Sequence, residues 1–352
     1  METIAFISHY LSKNKKKVLY SSMIAILAFL FIFITLGFGV YRISIPDAVK
    51  VVIDHILGNE VNYHDDLYIW NTRLPRGILA VAIGAGLALC GVVMQNVMHN
   101  PMAEPYTMGV SSGAFFGVVI AMVYGITLVP FAGTNWGIMV NAFVFALIPV
   151  GIILLISRFK TLTSTAMILI GIAILFLFSS ITQLMLLSAS TETLASAYNW
   201  RVGSLSMVNW STVAYTLPLI VIVSIAICFM QKKLDAMYMG DRSAQTVGIN
   251  PNKVRLISMG LVSIMTAAIV SFTGTIGFVG LVAPHVARMV VGSVNRYLIP
   301  FSMAFGALFL VAADTIAKIS GANGLPVGVI SSMVGGPLFI YILVKRGKKV
   351  WS

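Results

Sequence analysis

The sequence predicts an all-α polytopic membrane protein of about ten transmembrane helices with both termini cytoplasmic. Three observations carry this. Of the 352 residues, 59% are hydrophobic and only 10% charged, whereas a soluble domain is nearer a quarter charged. Apolar segments of spanning length recur along the whole chain. The 23 lysines and arginines sit in short clusters between those segments, as cytoplasmic loops do. The net charge of +12 therefore reports topology and gives no reason to invoke a nucleic acid.

The chain opens on "SKNKKKVLYSSMIAILAFLFIFITLGFG", a basic stretch followed by an apolar run over 18–38. That run is of spanning length and no A-x-A cleavage pattern follows it, so it reads as a retained first helix. Further spans fall at 77–97, 107–129, 137–157, 164–187, 211–230, 254–272, 297–317 and 326–344. A shorter segment, 276–292, contains Pro284 and His285 and must also cross for the count to close. No connection is long enough for a soluble domain, so residues 1–352 form one membrane domain. "HNPMAEPYTMG" and "SFTGTIGFVG" interrupt the apolar pattern with Gly and Pro. Such breaks are tolerated at depth only where neighbouring helices or a cavity satisfy the freed backbone groups.

Ten crossings with a cytoplasmic N-terminus place 17 basic residues inside, among them the C-terminal group Lys345, Arg346, Lys348 and Lys349. Six lie outside: Arg42, Lys50, Arg73, Arg76, Arg201 and Lys318. The positive-inside rule favours this arrangement. It makes Arg73 and Arg76, in "IWNTRLPRGILAVAIGAG", external exceptions at the mouth of a span.

Several chemistries are absent. The chain has no G-x-x-x-x-G-K-[ST] phosphate loop and no H-E-x-x-H zinc motif. "GVSSG" matches the nucleophile pattern G-x-S-x-G, but that pattern has meaning only at a strand–turn–helix elbow. Here Gly109, Gly113 and Gly117 repeat every four residues and read as a helix-packing face. Cys90 and Cys228 lie in apolar runs and read as small core residues. Glu104 and His285 each sit beside a proline near an inner helix end, which suits interfacial structural roles and no proton relay. Asp314 lies near an outer helix end.

The longest inner connection, 231–255, contains "QKKLDAMYMGDRSAQTVGINPNKVR". Asp241 reads as an N-cap, Arg242 to Val247 as about two helical turns, and Gly248 as the stop, with Pro251 beyond. A short capped helix between two spans is a rigid knob suited to docking a soluble partner.

Several stretches together resemble one family: "RLPRGILAVAIGAGLALCGVVMQNVMHNPMAEPYTMGVSSGA", "GDRSAQTVGIN", "GTIGFVGLVAPHVARMVVG", "ADTIAK" and "LPVGVISSMVGGPLFIYIL". This is similar to the FecCD permease subunits of iron-siderophore/cobalamin-type (type II) ABC importers, over roughly residues 65–345. The resemblance implies ten helices per subunit and a second permease subunit, identical or paralogous, around a central pathway. It also implies two ATPase subunits on the inner side and an extracytoplasmic substrate-binding protein outside. ATP and Mg would belong to the ATPase partners, so this chain would bind no cofactor or metal and be no enzyme itself. The expected location is a bacterial plasma membrane.

The same resemblance assigns roles. Asp241, Arg242, Ser243, Ala244, Gln245, Thr246, Val247 and Gly248 match the helix that couples to the ATPase. Arg73, Arg76 and Lys318 match an external basic rim that seats carboxylates of the binding protein. Lysine stands at 318 where arginine is familiar, and it lacks the bidentate fork. "LTSTAM" matches the cytoplasmic gate and puts Ser164 and Thr165 at the constriction. On the fifth span, Ser179, Ser180, Thr182 and Gln183, with Leu186, are read as a weakly polar stripe lining the pathway. The cargo expected is a metal chelate, with ferric siderophore first and haem or cobalamin behind it. The competing class is an ion-coupled secondary carrier, which would want paired acids or ion ligands near the midplane.

Overall fold

A computed structural model describes residues 2–39, 41–129, 134–160, 162–320 and 324–346; Lys348 and Lys349 of the inner basic group lie outside them. Every described element is helical. The apolar helices are α1 (Glu2–Leu36), α4 (Leu74–Met98), α5 (Val110–Tyr124), α6 (Thr134–Phe159), α7 (Ser164–Leu186) and α9 (Trp210–Cys228). They continue with α12 (Pro251–Thr273), α13 (Val279–Val291), α14 (Asn295–Ile319) and α15 (Val327–Arg346). Eight are long and apolar enough to cross a membrane; α5 and α13 are shorter.

The two short helices correct the expected spans 107–129 and 276–292. At about 1.5 Å per residue, α5 and α13 each cover less than the ~30 Å hydrocarbon core. The cause is local. A 3₁₀ turn, Pro105–Met108, and left-handed Gly109 (φ 83°) precede α5. Gly274 (φ 69°) and the left-handed Phe278 (φ 68°) precede α13. Each lead-in loop enters the bundle. A Cβ at Gly171, two turns into α7, would meet Thr107 O at 2.9 Å. The polar groups of the second loop and of the helix start find partners there: Ser331 Oγ donates to Gly277 O at 3.2 Å, and Gln95 Nε2 donates to Gly280 O in the first turn of α13 at 3.3 Å. The first helix differs too, since α1 starts at Glu2 rather than near 18.

α4 is the central post, buried along nearly its whole length. Glycines allow its neighbours to touch it backbone to backbone. A Cβ at Gly91 would overlap the Gly280 carbonyl of α13, and one at Gly84 would overlap Gly306 of α14. The Gly109/Gly113/Gly117 stripe does the same for α5 against α6, where a Cβ at Gly117 would sit 2.6 Å from Asn141 O. Small residues are what let membrane helices approach closely. Ser112, inside the decoy motif, spends its hydroxyl on Gly109 O at 2.9 Å.

Two helices outside the spans were not expected: α2 (Ile45–Leu57) and α8 (Thr191–Arg201). A three-residue turn, α3 (Tyr63–Asp65), and a π-helical stretch, Asp66–Arg73, lead without a break into α4. At the other end, α10 (Gln231–Tyr238) and α11 (Asp241–Thr246) form the knob. Cys90 is buried, as expected, but Cys228 is exposed at the end of α9, contrary to the core reading.

Candidate functional site

At the outer end, the three basic residues converge. Arg73, Arg76 and Lys318 line one cavity of about 810 Å³, together with Trp136, Trp200 and Asn209. Each of them is also bonded within the protein. Arg73 is only 5% exposed. Its guanidinium donates to Leu36 O at 2.6 Å and to Tyr41 O, pinning the turn after α1 onto the head of α4. Arg76 forks onto Asp314, with Nε to Oδ1 at 2.9 Å and Oδ2 at 3.1 Å, and Nη2 to Oδ1 at 2.7 Å. Lys318, one turn along α14, reaches Asp314 Oδ2 at 3.1 Å and donates to Thr35 Oγ1 at 3.0 Å.

Asp314 has no exposed surface and organises this end. The sequence signal for it was its position four residues before Lys318, which puts the two on one helix face. Two cations, Arg76 and Lys318, share that carboxylate, and a third on the same cavity wall, Arg73, is answered by neutral carbonyls among the described residues. The cavity wall therefore carries two positive charges in excess and is suited to a carboxylate-bearing group.

At the inner end, the structure places α11 as expected but builds it differently. Asp241 is not the N-cap. Gly240 holds that position at φ 106° and no side chain caps the helix. The Asp241 carboxylate instead accepts from Arg255 Nη2 at 2.7 and 3.0 Å, because a fully buried guanidinium needs a counter-charge more than a helix end needs one acceptor. Arg255 also donates from Nε to Val97 O at 2.9 Å and from Nη1 to Asn252 Oδ1 at 3.2 Å. One side chain thus ties α11, the head of α12 and the foot of α4 together. Sequence reasoning passed over Arg255 as one more inner basic residue.

The end of α11 follows the expectation. Gly248 has φ 78°, its N–H donates to Gln245 O at 3.0 Å, and Ile249 N donates to Ala244 O at 3.0 Å. That pair of bonds is a Schellman termination. Ala244 is buried under the knob, while Arg242, Ser243, Gln245, Thr246, Val247 and Gly248 are exposed. The head of α7 approaches from the side: Leu162 and Thr163 share a cavity of about 370 Å³ with Asp241, Gln245 and Asn250. Thr163 caps α7 by accepting from Ala166 N at 3.2 Å. Ser164 is half-buried and Thr165 exposed beside it.

The proposed stripe on α7 divides. Thr182 is 1% exposed and returns its hydroxyl to Phe178 O at 2.6 Å. With Phe178 and Leu186 it forms the packed face at four-residue spacing, so Thr182 and Leu186 are removed from the pathway lining. Ser180 and Gln183 are exposed and Ser179 is half-buried. His285 is buried in α13, with Nδ1 against Leu281 O at 2.7 Å and its ring edge-on to Phe339. Glu104 does not sit at the inner boundary as expected, because the turn that follows it packs on Gly171 inside the bundle.

The comparisons agree with this architecture. The chain is 32% identical to the Fe(3+)-citrate import system permease protein YfmE of Bacillus subtilis (strain 168), over 96% of this chain and 98% of that one. It is 37% identical to the cobalamin import system permease protein BtuC of Halobacterium salinarum, covering 78% of this chain and 72% of the relative. A solved metal-chelate type ABC transporter in an inward-facing conformation superposes with a TM-score of 0.81 at 28% identity, covering 92% of this chain and 98% of that one. The FecCD transport family matches residues 26–345, so the chain belongs to the FecCD transport family.

Proposed function

We infer that this chain is the membrane permease of an ATP-driven importer of metal chelates, with a ferric siderophore as its cargo. The observation that carries the reading is the inner knob. α11 is braced to α4 and α12 by Arg255, while four of its six residues, Arg242, Ser243, Gln245 and Thr246, and Val247 just after them are exposed. A braced, exposed helix is the form a transmitting contact with a separate ATPase requires. Two ATPase subunits, a second permease subunit and an extracytoplasmic binding protein complete the proposed assembly, which sits in a bacterial plasma membrane. ATP and Mg are held by the ATPase partners.

The outer cavity supports docking of the binding protein through carboxylates, drawn by the excess charge of Arg73, Arg76 and Lys318. All three side chains also hold the fold, Lys318 through Asp314 and Thr35, so the effect on docking is read on correctly inserted permease. Lys318→Met is expected to weaken the binding-protein complex about tenfold, or ~1.4 kcal/mol, and to flatten its salt dependence. Titration of inserted permease with the binding protein checks this; equal affinity at every ionic strength would remove Lys318 from docking.

Ser164 and Thr165 are proposed as the cytoplasmic gate and Ser179, Ser180 and Gln183 as weak pathway contacts. Neutral hydroxyls and an amide suit a large chelate passed along without tight binding. Haem and cobalamin remain the alternative cargoes, and uptake of a panel of chelates by a strain lacking its own permease decides among them. An ion-coupled carrier is less well supported, since Asp314 is already neutralised by Arg76 and Lys318.

The coupling helix gives a second expectation. Asp241→Asn strips the counter-charge from Arg255 and should cost about 1–3 kcal/mol locally. Gly248→Val forces a branched residue into the left-handed region, at about 1–2 kcal/mol. Both should lower transport-linked ATP hydrolysis while leaving binding-protein affinity intact. Unchanged ATP hydrolysis in both variants would contradict the assignment.

A further inference from the structure

The outer helix α2, "IPDAVKVVIDHIL", carries three stripes, each about a third of its circumference, when its residues are placed at about 100° per residue. Ala48, Val51, Val52 and His55 form the first. Ala48, Val51 and Val52 pack with Ile32 and Leu36 of α1, Ile69 of the π-helical stretch and Leu74 at the head of α4, and His55 stacks on Trp70 at 3.9 Å. Asp47, Lys50 and Asp54 form the second, which is wholly charged. Ile45, Val49, Ile53, Ile56 and Leu57 form the third. It is wholly apolar, yet Ile53, Ile56 and Leu57 are 50%, 68% and 69% exposed.

A helix with two environments needs one apolar and one polar stripe. Three stripes call for three environments: protein, water and something else apolar. We propose that this third stripe lies in the outer leaflet of the bilayer, at the boundary between headgroups and acyl chains, and that α2 is an interfacial membrane-binding helix.

Position in the fold supports lipid as the occupant. Ile32 and Leu36, on which α2 rests, belong to the last turns of an apolar span, so α2 lies at the end of the hydrocarbon layer. Below it, α1 presents Ile26, Leu27, Phe29 and Leu30 to the outside, each at least 46% exposed, so the apolar stripe adjoins a surface that itself needs lipid. Aromatic groups gather at the same level. Trp210 Nε1 donates to Trp70 O at 2.9 Å, and Tyr41 stacks on Tyr68 at 4.7 Å. Trp and Tyr concentrate at membrane–water interfaces. Interfacial helices of this make-up settle about 5–10 Å into the boundary. A soluble partner would instead meet the charged stripe.

This inference rests on the chain being a membrane permease and not on the docking or coupling roles. It also gives α2 a use: His55 bonds Asp66 at 2.6 Å, so the helix braces the π-helical stretch that ends at Arg73.

The test uses the full chain with its partner subunits in lipid nanodiscs. In a Cys228→Ser background, where Cys90 is buried, a bimane probe is attached at Ile56→Cys, at Leu57→Cys or at Lys50→Cys. Quenching is read with lipids carrying a nitroxide near the headgroup and with aqueous iodide. Positions 56 and 57 are expected to be quenched severalfold more by the lipid nitroxide than position 50, and position 50 more by iodide. Iodide quenching of 56 and 57 equal to that of 50 overturns the proposal. Protection of 56 and 57 from both quenchers also overturns it, because a protein then covers the stripe.

Discussion

Asp314→Asn is expected to be the most damaging single substitution at the outer end. Asparagine keeps the shape but removes the one carboxylate shared by Arg76 and Lys318, which are themselves largely buried. Stranding one partner of a buried ion pair costs about 3–5 kcal/mol. Thermal unfolding of the purified permease should show a clear loss of stability, and α1 should loosen because Lys318 also holds Thr35. Adding Lys318→Met should restore part of the loss, since one stranded cation disappears with it. Such coupling is expected only for residues in contact. A double variant as unstable as the sum of the two singles would contradict the shared network.

Gly91→Ala is expected to have the second large effect. At an ordinary helix position this exchange gains up to ~1 kcal/mol of propensity. At Gly91 the new methyl would overlap the Gly280 carbonyl, and neither partner is a flexible side chain that can move aside. Separating α4 from α13 should cost about 1–3 kcal/mol or more and displace the half-length helix. Gly151→Ala in α6, where a Cβ meets nothing within 4 Å, is the control and should leave stability unchanged or slightly raised. Equal melting of the two variants would show that the α4–α13 contact is not close.

These two sites show what the sequence could and could not disclose. The ten apolar segments and the Gly248 stop were legible because hydrophobic runs and left-handed glycines act locally. The convergence of Arg73, Arg76 and Lys318 was legible through the family resemblance. Their bonding was not, since Arg73 is answered by backbone carbonyls, which no residue pattern marks. Asp241 was misread because an acid before a short helix fits an N-cap, while its actual partner, Arg255, lies in the next span. The lengths of α5 and α13 were overestimated because Ile276 and Phe278, like Met108, carry the apolar composition into stretches before the helices begin. Thr182 shows the same limit on a smaller scale. Periodicity put it beside Ser179 and Gln183, but only packing reveals which side of α7 is covered.

The most direct test of the central claim is chelate uptake into proteoliposomes containing this chain with its ATPase and permease partners. The binding protein and a labelled ferric siderophore are supplied outside, and ATP with Mg is supplied in the lumen. The account predicts uptake that requires both lumenal ATP and the external binding protein and that continues when a protonophore collapses the proton gradient. Uptake that proceeds without ATP and stops with the protonophore would contradict it and identify an ion-coupled carrier instead.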